Sequence, residues 1–127
     1  MTATNTLPTG PQSISLDTAV EMTTRFRSEK EAILAPAYQG RDILCNSETF
    51  NRAAIDRLLA LDGCEGLRIY YGMDESLQVH AILAGVTEGN EDILPSAGAS
   101  LQDDTGDISE EGQRCPPLCP PPSALNP

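Results

Sequence analysis

The clearest hydrophobic pattern lies in the middle of the chain, where apolar residues alternate with others in two consecutive runs. The first run, 67–71, and the second, 77–83, both carry apolar residues at odd positions, and a short turn, 73–76, separates them. This alternation is typical of β-strands and predicts a β-hairpin. A two-residue loop would pair Tyr71 with Gln78 and mix the two faces. The sequence therefore predicts a three-residue or bulged connection.

Two shorter signals follow the hairpin. Residues 84–86 extend the second strand, and Gly89-Asn90 marks a turn. Ile93 and Leu94 then predict a last short strand before Pro95.

A helical pattern precedes the hairpin. Ala19, Met22, Phe26 and Ile33 recur at helical spacing and predict a first helix from about 16 to 34. Ser15 suits its N-cap. We expect the helix to end before Pro36, because the residue before a proline avoids the helical region.

A second helix is predicted to begin after Asn51, a good N-cap residue. Phe50 and Ile55 flank this start as a hydrophobic staple, and Gly63 suits a left-handed end. An alternative start at Ser47 stays open. The expected buried stripe consists of Ala54, Ile55, Leu58 and Leu59.

Together these elements predict an α+β fold, in which two helices pack on a small antiparallel sheet made of the hairpin and a third strand. A hairpin alone is marginal in water, so we expect the helices to cover its odd face. An extended C-terminal tail is predicted to follow this fold.

The composition divides the chain into four parts. A polar lead, 1–12, contains two prolines and a glycine, and 13–94 carries the periodic pattern of one domain. Residues 95–114 are small and acidic and predict a flexible linker, since they cannot bury enough apolar surface to order themselves. The tail, 115–127, has six prolines in 13 residues and favours polyproline II.

The charge limits the classes of partner. The chain of 127 residues has a formal net charge of −11, which argues against a general binder of nucleic acid or anionic membranes. The sequence contains no apolar run long enough to span a bilayer and no secretory signal at its start, so we expect a cytoplasmic protein. No motif indicates a cofactor.

The four cysteines fit no zinc pattern. In a reducing compartment we expect thiols, and Cys45 and Cys64 are predicted to be small, buried or half-buried apolar residues. Cys115 and Cys119 would lie about 12 Å apart in an extended segment. That separation is too long for one metal ion or a disulfide, unless a cis-proline or a turn folds the segment back.

Several motifs carry a family resemblance. The stretch 63–72, GCEGLRIYYG, the turn at Gly89-Asn90 and the ending 115–120, CPPLCP, resemble a family of small bacterial proteins with a G-C-x-G-[IL]-R-I-Y-Y-G stretch and a C-P-P-x-C-P tail. The resemblance extends over roughly 50–127. It implies no activity, ligand or catalytic residue.

The candidate partner-binding residues fall in two places. Arg68, Tyr70 and His80 share the even face of the hairpin, a composition typical of interface hot spots. No carboxylate is predicted near His80, so a surface histidine is favoured over a catalytic base. The proline-rich tail suits docking, because a pre-extended segment loses little entropy when it binds. Its candidate residues are Cys115, Pro116, Pro117, Leu118 and Cys119.

The sequence thus favours a small non-enzymatic protein-interaction module whose tail docks on a partner or on its own domain. The alternative is a metal-, haem- or redox-linked protein that uses Cys115 and Cys119. The acidic loop 87–92 lacks the ligand spacing of a calcium-binding loop and is interpreted as a solvated charge run. A nucleic-acid mimic is disfavoured, because much of the charge lies in the predicted linker.

Overall fold

The computed structural model describes residues 6–95, 108–109 and 112–127. The chain forms two compact units that each combine separate stretches of sequence. The first consists of Met1–Gly10, Phe50–Gly72 and Ala81–Gly112, and the second consists of Pro11–Thr49, Met73–His80 and Gln113–Pro127. The single domain over 13–94 that the sequence pattern indicates stays a prediction.

The described secondary structure confirms the α+β class, with two α-helices and two small antiparallel sheets. In chain order the elements are α1 (Leu16–Glu29), a 3-10 helix (Pro36–Tyr38), β1 (Ser47–Thr49), α2 (Arg52–Leu59), β2 (Gly66–Met73), β3 (Val79–Val86), β4 (Asp92–Ile93), β5 (Ile108–Ser109) and β6 (Gln113–Cys115).

The larger sheet has the strand order β2-β3-β4, and β5 also pairs with β3. Gly85 lies opposite Ile93 on β4, and Ala84 lies opposite Ile108 on β5. The smaller sheet pairs β1 with β6, with Ser47 opposite Cys115.

Helix α2 contributes Leu58 to the core of the first unit. Asn51 caps it by accepting a hydrogen bond of 2.8 Å from the backbone N–H of Ala54. Leu58 is fully buried, but Leu59 is 48% exposed, so the predicted buried stripe is one residue too wide. The other buried apolar residues of this unit lie on β3 and are Leu83, Ala84 and Val86.

The alternative start of α2 at Ser47 is wrong, because Ser47–Thr49 forms the strand β1. Gly63 adopts a φ of +79°, but it lies in the turn after the helix, which ends at Leu59 with Ala60 as its C-cap.

Helix α1 begins where the sequence predicts and ends earlier. Ser15 is the N-cap and accepts from the N–H of Thr18 at 3.1 Å. The helix stops at Glu29 rather than near Leu34, and the chain continues in turns in which Ile33 N–H donates to Glu29 O and Leu34 N–H to Glu31 O. Helix α1 has no buried residue.

The hairpin turn confirms the predicted three-residue connection. Asp74 N–H donates to Gln78 O at 3.0 Å, and the three residues between them include Leu77 with a φ of 67°. This is a three-residue loop with a left-handed third residue. Even residues therefore oppose even residues at this end of the hairpin.

The chain ends are more ordered in places than their composition predicts. Leu7, inside the predicted flexible lead, donates its N–H to Glu88 O at 3.0 Å. Ile108–Ser109 and Gln113–Arg114, inside the predicted linker, lie in strands because their backbones pair with β3 and β1. The rest of that linker prediction, 96–107 and 110–111, lies outside the described residues. No helix among the described residues is both long and apolar enough to span a bilayer.

Candidate functional site: the edge strand β2

The odd-numbered residues of β2 form an exposed apolar row. Leu67 is 37% exposed, Ile69 54% and Tyr71 80%. We call these three residues the β2 row. The helices were expected to cover the odd face of the hairpin. On β3 the odd residue Leu83 is buried as expected, but the β2 row is not covered.

The position of β2 explains this exposure. β2 is the last strand in its sheet, and β3 is its only strand partner in the described part of the chain. A strand at the edge of a sheet keeps one row of backbone N–H and C=O groups unpaired. The β2 row and this free edge therefore lie on the same seven residues, 66–72, of the first unit.

The even face of β2 carries a polar network instead. Arg68 Nη1 lies 2.5 Å from Asp92 Oδ1, and Arg68 Nη2 donates to the backbone oxygen of Asn90 at 3.0 Å and to its side-chain oxygen. The Tyr70 hydroxyl donates to Asp92 Oδ2. Because Asp92 lies on β4, these two long side chains reach across β3. The network thus holds the edge strand to the far side of its own sheet.

The charges of this network stabilise one another. The hydrogen bond from Tyr70 holds the pKa of the Asp92 carboxyl below its ordinary value, and the bond from Arg68 acts in the same direction. The bond to Asp92 raises the pKa of Arg68 in turn. Asp92 is therefore a paired residue, and its interpretation as part of a solvated charge run is wrong.

His80 belongs to the second unit and makes its described contact elsewhere. Its Nε2 atom lies 2.7 Å from Asp74 Oδ2, and this hydrogen bond lowers the pKa of Asp74. Asp74 Oδ1 also accepts from the N–H groups of Ser76 and Gln78. The expectation that no carboxylate lies near His80 is wrong. The three-residue loop gives the reason, since it makes positions 74 and 80 diagonal neighbours on adjacent strands.

The C-terminal segment, Gln113–Pro127, is integrated into the second unit through Arg114. This side chain is only 8% exposed. Its Nε donates to Val79 O at 3.2 Å, and its Nη2 donates to Asp42 O and Ile43 O at 2.8 and 3.1 Å. Further along, Leu125 O accepts from Arg27 Nη1 at 2.8 Å.

Cys115 and Cys119 form a disulfide, in contrast to the expected thiols. Their Cα atoms are 4.5 Å apart rather than about 12 Å, since the segment folds back through cis peptide bonds at Cys115–Pro116 and Pro116–Pro117. Cys115 is 1% exposed, whereas Leu118 is 58% exposed. Pro117 and Cys119 are also exposed, and Pro116 is half-buried.

Cys45 and Cys64 are free thiols and half-buried, within the range expected for them. Cys64 Sγ lies close to β3, where a Cβ added at Gly85 would meet it at 3.0 Å.

A shallow groove of about 350 Å³ lies on α1 in the second unit. The apolar side chains of Met22, which is 55% exposed, Phe26 and Leu125 line it. Arg27 and Cys45 also line it. Met22 and Phe26, two residues of the helical stripe predicted for α1, thus line a groove.

The described residues contain no group of three or more histidine, cysteine or acidic side chains arranged to hold a metal ion. In comparisons with known proteins, no family model, no curated protein and no solved structure matches the chain significantly. The family resemblance of the 63–72 stretch stays a prediction.

Two residues of these hydrogen-bond networks were missed from the sequence. Asp92 was grouped with its acidic neighbours, although its even number places it on the face of Arg68 and Tyr70. Arg114 was assigned to a linker, and no local pattern indicated that its guanidinium would be buried.

Proposed function

We propose that the protein is a small non-enzymatic protein-interaction module that binds its partner through the free edge and apolar row of β2. The observation that carries this proposal is the exposure of the β2 row, with Tyr71 80% accessible on an edge strand. An exposed apolar patch beside unpaired backbone groups favours strand addition by a partner. The net charge of −11 favours a protein partner over nucleic acid or an anionic membrane.

In this proposal Arg68 and Tyr70 belong to the binding strand but act mainly as positioning residues. Their hydrogen bonds to Asp92 fix the edge strand before a partner arrives. Such preorganisation reduces the entropy lost on binding.

The Cys/Pro-rich tail then docks on its own unit, the second of the two alternatives left open by the sequence. Support comes from the burial of Arg114 and Cys115 and from the pairing of β6 with β1. A segment held in this way cannot leave for a partner without exposing these groups. Pro117, Leu118 and Cys119 still offer an exposed surface, so the test includes them.

The test is an affinity purification from the native cell with three forms of the full chain. Ile69→Lys places a charge in the β2 row, and Leu118→Lys is the matched control on the exposed part of the tail. We expect the partner bound by the wild type to be lost with Ile69→Lys and kept with Leu118→Lys. Retention by Ile69→Lys together with loss by Leu118→Lys would assign binding to the tail instead.

A redox-linked function is the second candidate, because the disulfide between Cys115 and Cys119 favours it. In this oxidised form the two sulfurs are not thiolates and cannot serve as metal ligands. A cytoplasmic location, which we also propose, would keep both cysteines reduced. Rapid alkylation of cells followed by mass spectrometry distinguishes the disulfide from the two free thiols, since only free thiols gain the alkyl group.

A further inference from the structure

The free edge of β2 is self-complementary. We propose that residues 66–72 pair antiparallel with the same residues of a second copy of this chain, around a two-fold axis at Ile69. This inference rests on the proposed function and names its partner. A two-fold axis generates a closed interface in which one patch faces itself.

The order of residues along β2 supports this register. An axis at Ile69 places Gly66 opposite Gly72 and Leu67 opposite Tyr71 of the second copy, with Ile69 facing itself. Odd residues thus oppose odd residues, so the two exposed apolar rows join into one surface. A register shifted by one residue would set apolar side chains opposite the polar face.

The charges favour a second copy at this surface. Two chains with a formal net charge of −11 repel each other over most of their surface. Residues 66–72 contain no acidic residue, and their one base, Arg68, is balanced by Asp92. In the proposed register Arg68 lies opposite Tyr70 of the second copy, whose hydroxyl bonds to an acidic side chain. No like charges therefore face each other.

The edge strand also lacks two of the residue types that keep edge strands apart. Proteins commonly protect such strands with lysine or proline, and β2 contains neither over its eight residues. Adding a second β2 would satisfy the unpaired backbone groups and bring the side chains of the two β2 rows into cross-strand contact.

Sedimentation equilibrium of the purified full chain tests the proposal. We expect the wild-type mass to rise from 13.6 kDa towards twice that value as concentration increases. Ile69→Lys and Ile69→Glu should each stay monomeric, because position 69 faces an identical charge across the axis. Their equal mixture should regain the dimer, since lysine then faces glutamate. Leu118→Lys, as the control, should dimerise like the wild type.

Cysteine cross-linking locates the axis independently. The Cα atoms of directly opposed residues in antiparallel strands lie about 4.5–5.5 Å apart, within disulfide range. Oxidation of Ile69→Cys with copper phenanthroline should give a covalent dimer at least ten times faster than oxidation of Tyr71→Cys, which faces Leu67 of the second copy. Equal rates, or a rate no higher than the wild type's, would overturn the proposed axis.

The outcomes separate this inference from the proposed function. A wild type that stays monomeric at all concentrations overturns the self-pairing. If the affinity purification nevertheless shows that Ile69→Lys no longer binds another protein that the wild type binds, the β2 row remains the binding surface. If Ile69→Lys keeps every protein that the wild type binds, both proposals fail. Circular dichroism spectra that match the wild type at low protein concentration verify that each variant is folded.

Discussion

The two strands β2 and β6 show opposite relations between residue type and burial. On β2, Tyr71 is 80% exposed, whereas on β6 the charged Arg114 is only 8% exposed. β2 ends its sheet and has a partner on one side, but Arg114 meets three backbone carbonyl groups that its guanidinium can satisfy. The comparison teaches that burial here follows from the partners available at a position rather than from hydrophobicity alone.

The largest expected effect is at Arg114. Replacing it with alanine removes the guanidinium donor from the carbonyl groups of Asp42, Ile43 and Val79, although Ile43 O keeps its bond from the Val79 N–H. Because a hydrogen bond to a charged group contributes about 1.5–3 kcal/mol, we expect Arg114→Ala to lower the free energy of unfolding by about 3 kcal/mol or more. Urea denaturation monitored by circular dichroism measures this change.

Arg27→Ala is the matched control for this prediction. Arg27 also donates to a backbone carbonyl, that of Leu125, but the pair is exposed. We expect a loss below about 1 kcal/mol. Equal losses for the two arginines would mean that β6 is no more anchored than an exposed contact, and the comparison of β2 with β6 would fail.

The next prediction compares the free energy of unfolding lost by substitutions on the two strands of the hairpin, β3 and β2. Leu83 on β3 is 6% exposed, so Leu83→Ala should cost about 2–4 kcal/mol through lost burial and a residual cavity. Tyr71→Ala on β2 should cost less than about 0.5 kcal/mol, as expected for a surface substitution. Both are measured by urea denaturation at low protein concentration, where the chain is monomeric. A large loss for Tyr71→Ala would show that the β2 row is packed.

A smaller effect is expected at the disulfide. Cys115 and Cys119 close a loop with a sequence separation of 4. Chain entropy predicts a stabilisation of about 2 kcal/mol for so short a loop. Cys119→Ser should therefore lower the melting temperature, and reductant should lower that of the wild type but not that of the variant. Cys64→Ser, which leaves the disulfide intact, should retain the response to reductant.

The sequence predicted local structure better than burial. Ser15 and Asn51 cap the two helices as their side chains indicate, and the parity of the apolar residues predicted the three-residue loop before Gln78. These features depend on neighbouring residues along the chain, so a local pattern contains the information.

Burial depends on residues far apart in sequence, and there the predictions failed. Nothing near Arg114 indicates that it will contact Asp42 and Ile43, and the alternation in β2 does not reveal that the β2 row stays exposed. The candidate site could be predicted only as the even face of the hairpin. Its partner Asp92 lies 24 residues from Arg68, and the row that we propose for binding lies on the opposite face.

The smallest effect concerns what holds β2 in place at low pH. The hydrogen bond from Tyr70 lowers the pKa of Asp92, so the unfolded chain binds this proton more readily than the folded chain. The stabilisation is therefore complete above the ordinary carboxyl pKa of about 3.9 and is lost as the pH falls through the lower pKa of the folded state. Asp92→Asn should be less stable than the wild type at pH 6, and the difference should shrink below about pH 4. Tyr70→Phe removes the main cause of the shift, so its deficit should fade over the same range. Urea denaturation from pH 6 to pH 2.5 measures both differences. A deficit that stays constant over this range would mean that Asp92 does not hold the edge strand through its charge.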